Sequence, residues 1–136
     1  VGYGTFRPVV ETEGERYDMD AEPYRLSLEA AEKIVRHRKA GGRIIAVGTT
    51  TTRLLEHIAL THGELIADKG TTNLFIRPGF TFRAIEGLIT NFHLPKSSLL
   101  MLVAAFAGLD LVKSCYQDAI EQRYRFYSYG DSMLIS

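Results

Sequence analysis

Residues 41–53 constrain the fold more than any other stretch, reading Gly-Gly-Arg-Ile-Ile-Ala-Val-Gly-Thr-Thr-Thr-Thr-Arg. The β-branched run at residues 43–47 is too short for a helix and is bounded by glycines, as a buried strand of a parallel sheet would be. Upstream, Ser27 can accept a hydrogen bond from orphan helix amides. Leu28, Ala31, Ile34 and Val35 then recur at helical spacing until Gly41-Gly42 supplies a stop. Downstream, Leu54, Leu55, Ile58 and Ala59 mark the apolar stripe of a second helix, which ends near His62-Gly63. Helix, short strand and helix in succession can bury their apolar faces only by layering helices on a sheet.

The rest of the chain continues the alternation. Residues 73–77 (Asn-Leu-Phe-Ile-Arg) predict a second strand ended by Pro78-Gly79, residues 80–85 alternate as a third would, and residues 88–92 supply a fourth. Beyond Pro95 an apolar helix covers residues 98–107 and breaks at Gly108. Asp110 is placed to cap a further amphipathic helix through Arg123. The end is aromatic, then turn-like at Gly130-Asp131, then strand-like. No repeat or linker divides the sequence, and the polar stretch at residues 11–20, with five acids, reads as a solvated loop. The expectation is one α/β domain over residues 1–136, a layered α/β/α sheet.

Sixteen basic and sixteen acidic residues cancel, so a contact with nucleic acid must come from a local basic patch. The single cysteine, Cys115, cannot form an internal disulfide, and the four histidines share no ligand spacing with it, so no metal is expected. Apolar runs such as residues 99–107 fall far short of the roughly 20 residues that cross a bilayer, and no leader-like segment opens the chain. The expectation is a cytoplasmic monomer without a membrane partner. Val1 stands where an initiator Met would, and Gly2-Tyr3-Gly4-Thr5-Phe6-Arg7-Pro8 reads as the middle of a structured motif, so the chain is expected to be part of a longer protein.

Four segments could carry chemistry. Gly48 followed by Thr49, Thr50, Thr51 and Thr52 leads a strand into a helix, where free amides and the helix dipole suit a carboxylate, phosphate or ribose. The plainer alternative is a threonine that caps the helix while the others bond within a turn. The segment lacks the P-loop Gly-Lys-Ser/Thr and the Gly-x-Gly-x-x-Gly fingerprint, which disfavours a standard nucleotide cradle. Thr90-Asn91-Phe92-His93-Leu94-Pro95-Lys96-Ser97-Ser98 crowds polar groups where an apolar strand meets an apolar helix, the usual ligand position in an open sheet. His93 can exchange protons there near neutrality, or its ring can simply hold the loop. Lys96 reads as a solvated helix-start residue. The Gly2 to Pro8 motif offers the forked cation of Arg7, though a twisted strand explains its glycines as well. Tyr124-Arg125-Phe126-Tyr127-Ser128-Tyr129-Gly130-Asp131 interleaves cations with aromatics, which can stack on unpaired bases or pack in a core. Among the acids, Glu22 and Asp131 lie nearest these motifs. Either could act as a base, cap a helix or pair with a cation.

Taken in chain order, Val1-Gly2-Tyr3-Gly4-Thr5-Phe6-Arg7-Pro8-Val9, Ile45-Ala46-Val47-Gly48-Thr49-Thr50-Thr51-Thr52-Arg53, Leu88-Ile89-Thr90-Asn91-Phe92-His93-Leu94-Pro95-Lys96-Ser97 and Tyr124-Arg125-Phe126-Tyr127-Ser128-Tyr129-Gly130-Asp131, with Thr72-Asn73-Leu74-Phe75-Ile76 and Pro78-Gly79 between them, resemble the S-adenosylmethionine:tRNA ribosyltransferase-isomerases of queuosine synthesis. The resemblance runs nearly end to end. It implies a longer enzyme whose N-terminal portion, including a small β-barrel domain, is absent from this chain. It also implies transfer and isomerisation of the ribosyl moiety of S-adenosylmethionine onto 7-aminomethyl-7-deazaguanine in the tRNA anticodon, giving epoxyqueuosine, adenine and methionine. S-adenosylmethionine is then a consumed substrate, and no cofactor is expected. The implied chemistry removes a proton beside the sulfonium, lets the amine attack and expels adenine on the way to an epoxide. On that basis His93, supported by Glu22, is expected to transfer protons. Arg7, Thr49, Thr50, Arg53 and Asn91 are expected to hold the anionic or ribose parts of the substrate, and Arg125 and Tyr127 to meet tRNA.

Two departures limit the carry-over. Where the family commonly reads Met-His-x-Glu this chain has Met19-Asp20-Ala21-Glu22, so no histidine role passes to position 20, and Ser132 stands where alanine is usual. Two readings of other classes compete. One is a binding module for S-adenosylmethionine or tRNA without turnover, favoured for a fragment. The other is an unrelated phosphosugar enzyme, for which a sugar phosphate would raise the melting temperature and S-adenosylmethionine would not.

Overall fold

A computed structural model describes residues 19–136. The motif containing Arg7 and nearly all of the acidic stretch lie outside the described residues. The element order is β1 (Glu22–Leu26), α1 (Leu28–Lys39), β2 (Ile45–Val47), α2 (Thr49–His62), β3 (Asp68–Thr72), β4 (Gly87–Asn91), α3 (Ser98–Ala107), α4 (Leu109–Glu121) and β5 (Ser132–Ile135). β2, β4 and β5 form one sheet in that order, with β2 parallel and β5 antiparallel to β4, while β1 and β3 form a separate antiparallel pair. The α/β expectation holds, with a mixed sheet.

Local chemistry explains most boundaries. Ser27 is extended, and its hydroxyl accepts from the Ala30 amide at 3.2 Å, which starts α1, while Arg36, His37, Arg38 and Lys39 in the last turn suit its negative end. α1 is tied to the sheet through Glu86, whose carboxylate accepts from Arg38 at 3.0 Å and from the Ile44 amide at 2.7 Å. Ser97 caps α3 through the Leu100 amide. Gly108 ends α3 and also begins α4, so the two helices meet at 115°. Asp110 therefore lies inside the first turn of α4 and is not its cap, as the sequence had suggested. α4 closes at Glu121, short of Arg123. Among the described residues no single helix is long and apolar enough to cross a membrane.

α2 is the centre of the packing. Ile58 and Leu55 enter a core with Ile76, Ala84, Leu88, Leu102 and Val103. The same helix buries two charged side chains one turn apart. Arg53 donates to Glu22 of β1 at 2.9 Å and through Nε to the Leu74 carbonyl at 3.0 Å, with only 4% and 7% of the two charged side chains exposed. Glu56, fully buried, accepts from three successive amides, Arg83, Ala84 and Ile85, at 2.8, 3.0 and 3.2 Å.

These two residues account for the main departure from the sequence expectation. Residues 73–77 and 80–85 are not strands. Their backbone groups bond to side chains and turns: Leu74 N–H to the Thr72 hydroxyl, Leu74 C=O to Arg53, Phe80 N–H to the Arg77 carbonyl, and the three later amides to Glu56. Their alternating apolar side chains are genuine core residues, with Phe80, Phe82 and Phe106 stacked edge to face. The alternation thus reports burial without a ladder. Conversely, β1 and β3 were not foreseen because Glu-Pro-Tyr-Arg-Leu and Asp-Lys-Gly-Thr-Thr carry few strand-forming residues. Their pairing sets Tyr24 opposite Gly70 and lets the Tyr24 hydroxyl reach Asp68 at 2.7 Å. β2 also differs in detail, since Ile45 and Val47 are exposed on a strand at the end of the described sheet.

Removing the Glu56 carboxylate leaves three amides without their acceptor, each worth about 1–3 kcal/mol when buried and unpaired. Glu56→Ala is expected to destabilise the fold by about 3 kcal/mol or more, with Glu56→Gln between it and wild type, as read by urea denaturation. A loss below about 1 kcal/mol for the alanine variant would show that residues 83–85 are held by something else.

Candidate functional site

The parallel pair β2 and β4 ends on a pocket of about 410 Å³. It is lined by Gly48, Thr49, Thr50 and Thr51 from the start of α2, by residues from Thr90 to Leu94 after β4, and by Tyr127 and Ser128 from the later turn. This is the crevice beyond the carboxyl ends of strands where open α/β sheets take ligands.

Gly48 carries the chain from strand to helix. Its amide still bonds to the Ile89 carbonyl at 2.8 Å, and its backbone (φ 90°, ψ 147°) then turns into α2, a conformation that favours glycine. No threonine caps the helix: α2 has no side-chain cap, and Thr52 instead bonds back to the Gly48 carbonyl at 3.2 Å. The first-turn amides of Thr49, Thr50 and Thr51 therefore have no protein cap among the described residues and border the pocket. An anionic group fits there electrostatically.

His93 lines the same pocket, just past β4. Its ring Nε2 is 2.9 Å from the Thr90 hydroxyl, and its backbone amide donates to the Tyr116 hydroxyl of α4 at 2.9 Å. Burial pushes the imidazole down to about 4, so the ring is neutral near pH 7. The loop is held both by its own strand and by a helix more than twenty residues away.

Asn91 donates its side-chain amide to the Gly130 and Asp131 carbonyls at 3.3 Å, tying β4 to the turn that carries Tyr127. In that turn the Asp131 carboxylate accepts from the Arg125 amide at 2.7 Å and from its guanidinium at 3.1 Å, which holds the acid below the usual carboxylate range. A side chain at Gly130 would collide with the Arg125 and Phe126 carbonyls, so the turn closes only on glycine. The aromatics divide. Phe126 packs with Phe92 and Tyr116, and Tyr124 lies edge-on to Phe92. Tyr127, at φ 73° and with its amide on the Phe92 carbonyl, is exposed at the pocket, and Tyr129 is 98% exposed.

Of the residues expected from sequence, the fold brings Thr49, Thr50, Asn91, His93 and Tyr127 to one pocket. Arg125 is exposed next to that turn and paired with Asp131. Glu22 and Arg53 come together with each other and are not among the residues lining the pocket, and Arg7 lies outside the described residues. Among the described residues the buried Arg53 Nη2 has no hydrogen-bond partner. Two residues were missed. Thr90 could have been found from its three-residue spacing to His93 across the strand end, whereas nothing in the sequence links Tyr116 to the His93 loop. No group of three metal-ligating side chains occurs among the described residues.

The family model described as "Queuosine biosynthesis protein" matches residues 1–135. The chain is 53% identical over 135 residues to the S-adenosylmethionine:tRNA ribosyltransferase-isomerase of Natranaerobius thermophilus and 54% identical to that of Thermoanaerobacter sp., in each case over 99% of the chain. It spans about two fifths of those relatives, 39% and 40% of their lengths. It also superimposes with a TM-score of 0.80 on the crystal structure of S-adenosylmethionine tRNA ribosyltransferase from Thermotoga maritima, at 51% identity, covering 84% of this chain and 40% of that one. Matched along nearly its whole length, the chain belongs to the queuosine biosynthesis protein family.

Proposed function

We propose that this chain is the α/β part of an S-adenosylmethionine:tRNA ribosyltransferase-isomerase, which moves and isomerises the ribosyl moiety of S-adenosylmethionine onto 7-aminomethyl-7-deazaguanine in the tRNA anticodon. The products are epoxyqueuosine, adenine and methionine. S-adenosylmethionine is consumed as a substrate, no cofactor takes part, and the reaction belongs to the cytoplasm. The observation that carries this reading is the convergence of Thr49, Thr50, Asn91, His93 and Tyr127 on one pocket beyond the parallel strands of a chain in this family.

Within that reading His93 exchanges protons with the bound substrate, a role its neutral ring suits at pH 7. The α2 amides and the Thr49 and Thr50 hydroxyls receive a carboxylate or ribose oxygen, and Asn91 keeps its side-chain oxygen for a ligand after its amide has tied the turn. Tyr127 offers a ring at the pocket mouth for stacking, and Arg125 adds a cation beside it for phosphate. Glu22 and Arg53 act through structure, as a buried pair that fixes α2 against β1, and Arg7 completes the anion contacts. Because the chain spans two fifths of its relatives, a second reading has a specific basis: alone, it binds S-adenosylmethionine or tRNA without turnover. Calorimetric titration of the chain with S-adenosylmethionine, run beside an assay for adenine, separates the two, since heat without adenine marks a module and adenine release marks an enzyme.

In the full-length protein His93→Ala is expected to slow adenine release by about 10²–10⁴-fold, and a change within about threefold would remove His93 from proton transfer. The imidazole has a second measurable effect. Its value is about 4 in the fold and about 6.5 in an unfolded chain, so as pH falls from about 6.5 to about 4 the unfolded chain takes the proton first and stability is lost. Denaturation midpoints at about pH 7 and about pH 5 should fall further for wild type than for His93→Gln. Parallel losses would mean that another group sets the slope.

A further inference from the structure

The contact between Thr90 and His93 has a direction that decides what the histidine can do. Thr90 is 6% exposed, and its hydroxyl hydrogen needs an acceptor. Among the described residues its hydrogen-bond partner is the His93 Nε2 at 2.9 Å. The other ring nitrogen, Nδ1, has no hydrogen bond among the described residues and is not among the buried unpartnered atoms, so it keeps some exposure on a residue that lines the pocket. If Nε2 carried the proton, it would donate to the Thr90 oxygen and strand the threonine hydrogen in a buried position. If Nε2 carries the lone pair, both groups are satisfied by one bond.

We infer that Thr90 is a positioning residue that donates to Nε2 and holds His93 in the tautomer with its proton on Nδ1, so that the histidine meets the substrate as a hydrogen-bond donor. This inference rests on the proposed function and narrows the histidine's part in it: His93 hydrogen-bonds to an acceptor such as a leaving-group nitrogen or a ribose oxygen and stabilises charge that develops there, and proton abstraction falls to another group. The tautomer follows from the partner on the far nitrogen, the same logic by which a hydrogen bond to one imidazole nitrogen fixes the chemistry of the other. Of the titratable groups on packed elements, Tyr116 of α4 touches this loop, through its hydroxyl on the His93 amide and not through the ring, and burial raises its phenol and keeps it protonated. Lys96 lies on the same loop and is exposed.

The test is nitrogen NMR on full-length protein labelled at histidine, with the His93 signals identified by their loss in His93→Gln. A pyrrole-like Nδ1 and a pyridine-like Nε2 are expected, and the reverse pattern overturns the inference without any need for a variant. Thr90→Val should move the ring toward the other tautomer and lower kcat by about tenfold while KM changes less than about twofold, with Thr90→Ser restoring both. A valine variant that keeps both tautomer and kcat also overturns it. The two readings fail separately: the stated tautomer together with a fully active His93→Ala protein would sink the catalytic assignment and leave the Thr90 inference intact.

Discussion

The buried charges of α2 govern the rest of the structure. Arg53 and Glu56 lie one helical turn apart, and neither is accessible to solvent in any useful degree. Leaving either unpaired in the interior would cost several kcal/mol on the order found for broken buried ion pairs, so the segments they contact are committed to their positions. Arg53 fixes β1 through Glu22 and the chain after β3 through the Leu74 carbonyl, and Glu56 gathers the amides just before β4. One helix thereby organises a segment with no regular structure of its own, and places the start of β4 relative to its own axis.

That placement makes the pocket. β4 enters from residues held by Glu56, runs parallel to β2, and ends where α2 begins, because β2 leads directly into α2 through Gly48. The helix amides and the His93 loop that line the pocket thus belong to a single scaffold. The C-terminal turn joins them there, attached by Asn91 and by the Tyr127 amide on the Phe92 carbonyl. α4 adds a fourth restraint through Tyr116.

The sequence exposed those parts of this scheme that rest on local signals. Ser27 with its helical stripe, the glycine-bounded strand before Gly48, the apolar helix after Ser97 and the β4 run all lie where local propensity and pattern put them. The site was legible for a related reason, since Gly48 and the residues around His93 sit at strand-to-helix junctions that the pattern itself marks. Residues 73–77 and 80–85 were misread because hydrophobic alternation records which side chains are buried and says nothing about where the backbone groups go. Their partners, Arg53 and Glu56, are about twenty to thirty residues away and look like ordinary helix-surface charges. The same distance effect hid the Tyr116 contact and set Glu22 with Arg53 instead of with the histidine.

The electrostatics of the pocket differ between the start of α2 and the His93 loop. S-adenosylmethionine, the proposed substrate, carries a carboxylate with an ammonium beside it, and a sulfonium. The start of α2 presents uncapped amides and the positive end of a helix dipole, which attracts the carboxylate and repels the sulfonium. The His93 ring carries no formal charge near neutral pH, because burial keeps the imidazole unprotonated. A cation can approach a neutral ring where it could not approach an imidazolium.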